Sequence, residues 1–363
     1  MIKTWLTHNI IEFAINHVLD RWTESIHQTD IVYFHQLTTK DYGRMVREYH
    51  NHAYLFVKDD KHPMGDIVYI QIITYRESNQ YKSQLMMNIE LIEKIDSTID
   101  DVTKYIVEDS IFGKNEVSVI RKDTKTIFCL PSQTNCKMGC TFCHLTGTTR
   151  PSKNLSADWI VSVVDYLSQT EYKGDKDLLI SFMGVGEPLL NLNELTASME
   201  ALWGKYYHIR FALCTMMPNL DSIIDLTKWA KRNPNQKIKL HLSVHGIYNR
   251  YKIVKTNVNT YKAINQVQIF HKLTDNPIEY HYTLVNGVND SDTELREFEF
   301  FVNGDGSTVK FLTLSETNGC AQSTMSQDYI RTLFSNNVVE FYNPPGRDVG
   351  ASCGMFNKEL YNI

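Results

Sequence analysis

Cys136-Lys137-Met138-Gly139-Cys140-Thr141-Phe142-Cys143 sets three thiols in a C-x3-C-x2-C spacing, directly after a β-like run at Thr126–Leu130. The chain holds seven cysteines, the others being Cys129, Cys214, Cys320 and Cys353, and four of the seven fall within 15 residues. An odd, clustered set is a poor disulfide framework, and a chain of 363 residues needs no such staples. Clustered thiols in a reduced compartment point instead to metal or redox chemistry. The first residues meet His8, Asn9, Glu12 and Asn16 too soon for the apolar stretch of a signal peptide. No run approaches the roughly 18 apolar residues of a membrane span. A cytoplasmic location with no membrane partner is therefore expected. A net charge of −5 excludes nucleic-acid binding by overall charge, though not by a local basic groove.

Outward from the cysteines, short β-like runs recur at Thr126–Leu130, Leu178–Met183, Ile209–Cys214, Lys239–Val244, Ile278–Val285 and Val309–Leu314. Helix-compatible stretches separate them at Ala157–Ser168, Leu192–Trp203, Leu220–Ala230, Thr260–Leu273 and Thr293–Val302. Six alternations predict a parallel α/β sheet, doubly wound or curled towards a barrel, and a last run follows at Val338–Tyr342. The first hundred residues read differently. Helical stripes are expected at Ile10–Leu19, Asp41–Tyr49 and Gln84–Ile95, and a strand at Ile67–Tyr75. The expected division is a largely helical accessory domain over 1–104 and a core over 105–363.

Three thiolates at this spacing suit three irons of a [4Fe–4S] cluster, one per chain, and leave the fourth iron open. An open iron binds the amino and carboxylate groups of S-adenosylmethionine, and a reduced cluster cleaves that cofactor to a 5′-deoxyadenosyl radical. Zinc is the competing reading, but it wants four ligands, and His144 adjoins Cys143 too closely for good geometry. Met138 and Gly139 read as an exposed loop. Downstream, Met183-Gly-Val-Gly-Glu-Pro188 ends a strand in glycines that let backbone approach a ligand, with Glu187 placed to accept an ammonium group. Gly350-Ala-Ser-Cys-Gly354 reads as a mobile loop able to carry the Cys353 thiol.

Taken together, these blocks resemble the radical-SAM RNA adenosine methyltransferases of the RlmN and Cfr type. Phe128-Cys129-Leu130-Pro131-Ser132-Gln133 leads into the cysteines as in that family, and Met183 to Asn191 matches its Gly-Glu-Pro block. Leu242-Ser243-Val244-His245, Gly287-Val-Asn-Asp-Ser-Asp292 and Gly346 to Gly354 are similar to three further family blocks, in the same order. The resemblance implies a partial (β/α)6 barrel. It implies that one S-adenosylmethionine methylates Cys353 and that a second yields the radical that takes a hydrogen from the new S-methyl group. The carbon then adds to adenine, and Cys129 releases the product by forming a disulfide with Cys353, so two S-adenosylmethionines are consumed per methylation. Gly186, Glu187, Cys214, Ser243, Val244, His245 and Ser315 are the implied cofactor contacts. RNA, either rRNA or tRNA, is the implied partner, with the accessory domain over 1–104 a candidate RNA-binding region and C2 of adenosine preferred over C8. A flavodoxin or ferredoxin is the implied electron donor, and a monomer the implied state.

Several positions depart from the family. Cys214 stands where serine is usual, Ser315 replaces an asparagine whose role passes to it or to Asn318, and Cys320 has no counterpart. Glu93 falls near the upstream catalytic carboxylate, although a solvated helix glutamate is its plainest reading. Basic groups at Arg121, Lys122, Lys125, Arg150 and Lys153, at Lys228 to Lys239, and at Arg250, Lys252 and Lys255 are candidates for RNA phosphates if they ring the barrel mouth, and solvated faces otherwise. Two other functions fit: a radical-SAM enzyme with another substrate, or a non-catalytic iron–sulfur RNA-binding protein.

Overall fold

The computed structural model describes residues 88–206, 208–315 and 318–362 together with strands at 31–34, 53–58 and 68–73. The chain divides into two compact units, Met1–Met86 and Met87–Ile363. In the first, β1 (Ile31–Phe34), β2 (Ala53–Lys58) and β3 (Val68–Ile73) form an antiparallel sheet in the order β1-β3-β2. The strand expected at Ile67–Tyr75 is β3; the helices expected at Ile10–Leu19 and Asp41–Tyr49 lie outside the described residues.

The second unit is built on one ten-stranded sheet. It opens as an antiparallel meander of β4 (Glu90–Asp96), β5 (Val102–Glu108) and β6 (Asn115–Arg121), leading to β7 (Lys125–Cys129). From there the sheet is parallel. β7 is followed by α1 (Ala157–Glu171), β8 (Asp177–Phe182), α2 (Leu192–Leu202), β9 (Ile209–Thr215), α3 (Leu220–Arg232) and β10 (Ile238–Ser243). Then come α4 (Thr260–Thr274), β11 (Ile278–Thr283), α5 (Asp292–Val302), β12 (Thr308–Leu312), α6 (Gln327–Leu333) and β13 (Val338–Tyr342). The last run is thus a seventh parallel strand, paired to β12 from Thr308↔Val338 onward.

Two expectations change here. Residues 90–96 are a strand, not the end of a helix. A bulge between Leu91 and Glu93 makes Ile92 an extra residue and breaks the two-residue alternation, so the apolar spacing imitates a helical one. The boundary drawn at 104 cuts through β5, whose pairing with β6 ties it to the core sheet; the division falls at Met86/Met87.

Each parallel strand lies beside the next in sequence. Right-handed crossovers that always step the same way put every helix on one face, and a sheet covered on one face curls around the other. The helices bury apolar stripes such as Trp159, Ile160, Val163, Val164 and Leu167 of α1. The curl shows in contacts that a flat sheet forbids. At about 4.8 Å per strand, β7 and β12 would stand roughly 24 Å apart, yet Lys125 on β7 feels the charge of Lys310 on β12. Beyond β13, Gly346 N–H donates to Asp100 Oδ2 at 2.7 Å, and Asp348 accepts from Ser97 and Thr98, so the two ends of the sheet approach one another. Side-chain alternation then decides what faces inward: Lys239, His241 and Ser243 on β10, Glu279, His281 and Thr283 on β11.

Candidate active site

β7 ends at Cys129, and the chain turns through Leu130–Gln133 into the cysteine loop. That loop lacks regular structure, so side chains and distant backbone hold it. Asn135 accepts from Cys136 N–H at 2.8 Å and donates to Arg150 O at 2.6 Å. Thr141 N–H donates to Ile253 O at 3.0 Å, and His144 N–H to Gly354 O at 2.9 Å. Asn318 donates to the carbonyls of Thr141 and Cys143, both at 3.1 Å. It thus braces the loop from outside and does not line the cavity. Met138 is buried against Ile253, Val254 and Leu314, which corrects its reading as an exposed residue.

Cys136, Cys140 and Cys143 all face one cavity at the C-terminal ends of the parallel strands. Burial pushes the Cys136 thiol up to about 12 and that of Cys143 up to about 11. Cys140 is raised well above its usual value, with its two neighbours adding to the burial effect. Three crowded, soft sulfur donors fit an iron–sulfur cluster with one iron left open. A closed zinc site fits less well, because His144 turns Nδ1 to Phe356 O at 3.2 Å and is not among the cavity's lining residues.

Gly184 and Gly186 are needed for a reason other than ligand approach. A Cβ on Gly184 would stand 2.7 Å from Leu130 O, and one on Gly186, at φ +109, 2.4 Å from Ser132 Oγ. The two glycines let the turn after β8 cross the Leu130–Gln133 backbone, where Ser132 N–H and Gln133 N–H both donate to Val185 O. The same crossing sets Glu187 beneath the cavity. Its carboxylate accepts from Thr215 Oγ1 at 2.6 Å, Met216 N–H at 2.8 Å and Leu189 N–H at 3.0 Å. Burial raises its pKa against these bonds, so a cationic ligand group would be welcome beside it.

Of the other expected cofactor contacts, Gly186, Cys214, Ser243, His245 and Ser315 line this cavity with Glu187. Val244 does not; it is fully buried, and its N–H donates to His281 O at 2.9 Å. Ser315 Oγ is buried and finds no partner among the described residues, so the cavity holds an open hydroxyl. His245 takes φ +51 and accepts from Thr283 N–H at Nδ1, and burial keeps its ring neutral. Asn289, fully buried, donates to His245 O and Thr283 O and so clamps the ends of β10 and β11.

Cys353 also lines the cavity. It counts as solvent-exposed because the cavity is open to solvent, yet protein surrounds it and pushes its thiol up. Its charge reaches Cys129, whose thiol is held at about 12 by burial and then by Cys353. Cys143 and Cys214 feel the same sulfur. The segment around Cys353 is braced rather than loose: Ser352 Oγ faces the Pro344 and Pro345 carbonyls, Ala351 N–H donates to Gly346 O, and Lys104 Nζ donates to Gly350 O. Glu93, expected as a catalytic carboxylate, is exposed on β4 and takes no part in the cavity lining.

Below the cavity lies a charged layer. Glu279 Oε1 accepts from His241 Nδ1 at 3.0 Å, His281 Nε2 at 2.7 Å and Lys310 Nζ at 3.0 Å, while Lys239 pairs with its other oxygen. Donation through Nε2 leaves His281 Nδ1 to accept from Cys214 Sγ at 3.7 Å. Although burial opposes it, these partners hold Glu279 far below the usual carboxylate range, and burial keeps both histidines neutral. The ligand atoms of His241, Glu279 and His281 lie within 4.8 Å of one another, but Glu279 already meets two ammonium groups, so the set is an ion-pair network.

Several basic residues expected at the mouth are committed elsewhere. Arg150 donates to Phe112 O and Lys114 O and lies over the Tyr361 ring. Arg121 pairs with Glu171 and Asp101, Lys228 with Asp225, and Lys237 with Asp275. Arg250 is buried and donates to Met216 O at 2.6 Å and Ser243 O at 3.0 Å. Burial lowers its pKa to about 10 against the pull of Cys140 and Glu187, and Nε and Nη1 lack partners among the described residues. A guanidinium with spare donors beside the thiols is a charge match for an anionic group there.

Residues 130–298 match the family described as the Radical SAM superfamily. The chain is 26% identical over 281 residues to the "Probable dual-specificity RNA methyltransferase RlmN" of Petrotoga mobilis, covering 73% of this chain and 77% of that one. It is 27% identical over 297 residues to the "Ribosomal RNA large subunit methyltransferase N" of Nitrosopumilus maritimus, covering 74% and 80%. Among solved structures, a radical SAM methyltransferase from Sphaerobacter thermophilus superposes with a TM-score of 0.66 at 18% identity, over 79% of this chain and 86% of that one. No helix among the described residues is long and apolar enough to cross a membrane. Residues 130–298, which carry the three cysteines at one cavity, are thus similar to the Radical SAM superfamily, within an α/β fold with a mixed sheet.

Proposed function

We propose that this protein is a radical-SAM methyltransferase that places a methyl group on an sp2 carbon of adenosine in rRNA or tRNA, C2 rather than C8, with Cys353 as the methyl carrier. The observation that carries the reading is the shared cavity: Cys353 lines it together with Cys136, Cys140 and Cys143, and the Cys353 and Cys129 thiols lie within reach of one another's charge. The names of the relatives support RNA as substrate.

In this reading Cys136, Cys140 and Cys143 would hold a [4Fe–4S] cluster, which would supply the electron for reductive cleavage of S-adenosylmethionine. Glu187 takes the cofactor's ammonium group, while Ser243 and Ser315 offer hydroxyls from β10 and from the end of β12. The braced turn at Pro344–Ser352 holds Cys353 at the cavity, first to accept a methyl group and then to present it to the base. Cys129 ends the cycle. Once the adduct has returned one electron to the cluster and lost the proton of the attacked carbon, the Cys129 thiolate bonds to the sulfur of Cys353. The bond from that sulfur to the transferred carbon breaks with its electron pair left on the carbon, a proton completes the methyl group, and a disulfide remains to be reduced. Two S-adenosylmethionines are consumed per product. The target base leaves its stack to enter the cavity. Glu93 has no part in this scheme. The protein works as a cytoplasmic monomer supplied with electrons by a flavodoxin or ferredoxin.

The test is anaerobic turnover of cluster-loaded protein with rRNA and tRNA, followed by nuclease digestion and mass analysis of nucleosides. A C-methylated adenosine that vanishes in Cys353→Ala is expected. Formation of 5′-deoxyadenosine with no methylated nucleoside, and unchanged in Cys353→Ala, would mean a radical enzyme with another substrate.

A further inference from the structure

Electrons for a cluster held by the three cysteines must arrive from the side that substrate leaves free. Met138, Cys140 and Phe142 line the cavity on the inner side of the loop. Lys137 on the same loop is exposed. Lys255 lies across the loop at Gly139, where a Cβ would meet its Cδ at 3.1 Å and its Nζ at 3.3 Å. The hydrogen bond from Thr141 N–H to Ile253 O joins the two segments into one face. Around it stand Tyr248 and Tyr251, 51% and 70% exposed, with Lys252 Nζ 5.9 Å from the centre of the Tyr251 ring.

The charge of this face is one-sided. No Asp or Glu occurs from Leu130 to Ala157 or from Val244 to Thr274, in a chain whose acids outnumber its bases by five. Lys137, Lys252 and Lys255 form no ion pair among the described residues. Glu294 is buried and accepts from the N–H groups of Ile247, Tyr248 and Asn249, and the half-buried Glu297 accepts from Tyr261 Oη at 3.3 Å. Two exposed aromatics amid unpaired lysines make an apolar centre with an electropositive rim, the pattern of a transient docking surface for an acidic protein. RNA suits it less, because the target base must reach Cys353 on the inner side of the loop.

Resting on the reading that the three cysteines hold a reducible cluster, we propose that the face formed by Lys137, Tyr248, Tyr251, Lys252 and Lys255 docks a small, acidic, one-electron carrier protein. The carrier is oxidised by one electron and the cluster reduced by one; no bond or proton is exchanged. Complementary charge makes the encounter fast and salt-sensitive.

The experiment uses cluster-loaded protein and an acidic flavodoxin as probe, with binding followed by flavin fluorescence at low and high salt. Lys252→Glu/Lys255→Glu, and separately Tyr251→Ala, should weaken flavodoxin binding about tenfold or more. Both should leave dithionite-driven 5′-deoxyadenosine formation and the affinity for a short adenosine-containing RNA hairpin unchanged. Equal flavodoxin affinity in variants and wild type overturns the proposal, as does a fall in RNA affinity, which would make this an RNA surface. Absence of 5′-deoxyadenosine from the wild type with dithionite overturns the cluster reading itself and this proposal with it.

Discussion

Replacing Lys104 by Met probes how the segment bearing Cys353 is held. Lys104 is only 3% exposed; its ammonium lies 2.9 Å from Glu116 Oε2 and donates to Gly350 O at 3.2 Å. Glu116 Oε1 accepts from Asn357 N–H at 2.7 Å, so one buried ion pair grips the chain on both sides of Cys353. Met keeps most of the stem volume and removes the charge. A buried carboxylate stripped of its partner costs about 3–5 kcal/mol, a large share of a typical total of roughly 5–15 kcal/mol. Burial already raises the Glu116 pKa, opposed first by Lys104 and then by the Asn357 amide. Without Lys104 it rises further. A folded pKa above the unfolded one means stability that is present at low pH and lost as pH rises through the folded value. The deficit of Lys104→Met should therefore be largest near neutral pH and shrink by about 1.4 kcal/mol per pH unit between the folded pKa and the ordinary value of about 4.3. Urea unfolding at about pH 7.5 and about pH 5.5 measures this, and Lys104→Met/Glu116→Gln should recover most of the neutral-pH loss. A deficit below about 0.5 kcal/mol, the range of an ordinary surface change, or one indifferent to pH, would refute the reasoning.

Three further outcomes are expected. Gly186→Ala forces a side chain onto φ +109 and into Ser132 and Gln133; it should cost more than about 2 kcal/mol in denaturant unfolding and abolish S-adenosylmethionine binding by equilibrium dialysis. His241, His245 and His281 are all kept neutral by burial, His241 down to about 3. Their stabilisation is present above the unfolded value of about 6.5 and lost as pH falls below it, at up to about 1.4 kcal/mol per pH unit each; a flat profile between about pH 7 and pH 5 in chemical denaturation would contradict this. Arg250→Met leaves the Met216 and Ser243 carbonyls unpaired and should cost about 3–5 kcal/mol while lowering iron content after reconstitution.

Helix positions were legible in the sequence because the signals are local. Ser156, Asn219, Asn259 and Ser291 accept from the first-turn amides of α1, α3, α4 and α5, each just ahead of an apolar period. The cysteine spacing and Glu187 were legible for the same reason. Long-range features were not. The bulge at Ile92 hid β4, and β5 and β6 join the core only through pairing. Arg150 and Arg250 look like surface cations until the fold buries them against carbonyls. The inward row of Lys239, His241, Ser243, Glu279, His281 and Thr283 did leave a trace, in alternate polar residues along β10 and β11, legible once the sheet is known to curl. Gly184 and Gly186 signalled their own importance but not its cause, which is the crossing of two backbones.

The role given to Cys353 is tested most directly by peptide mass spectrometry of protein purified with its cluster intact and shown to cleave S-adenosylmethionine. A methyl group on the sulfur of Cys353, and on no other cysteine, is the predicted result. Active, cluster-loaded protein with Cys353 wholly unmethylated would contradict it.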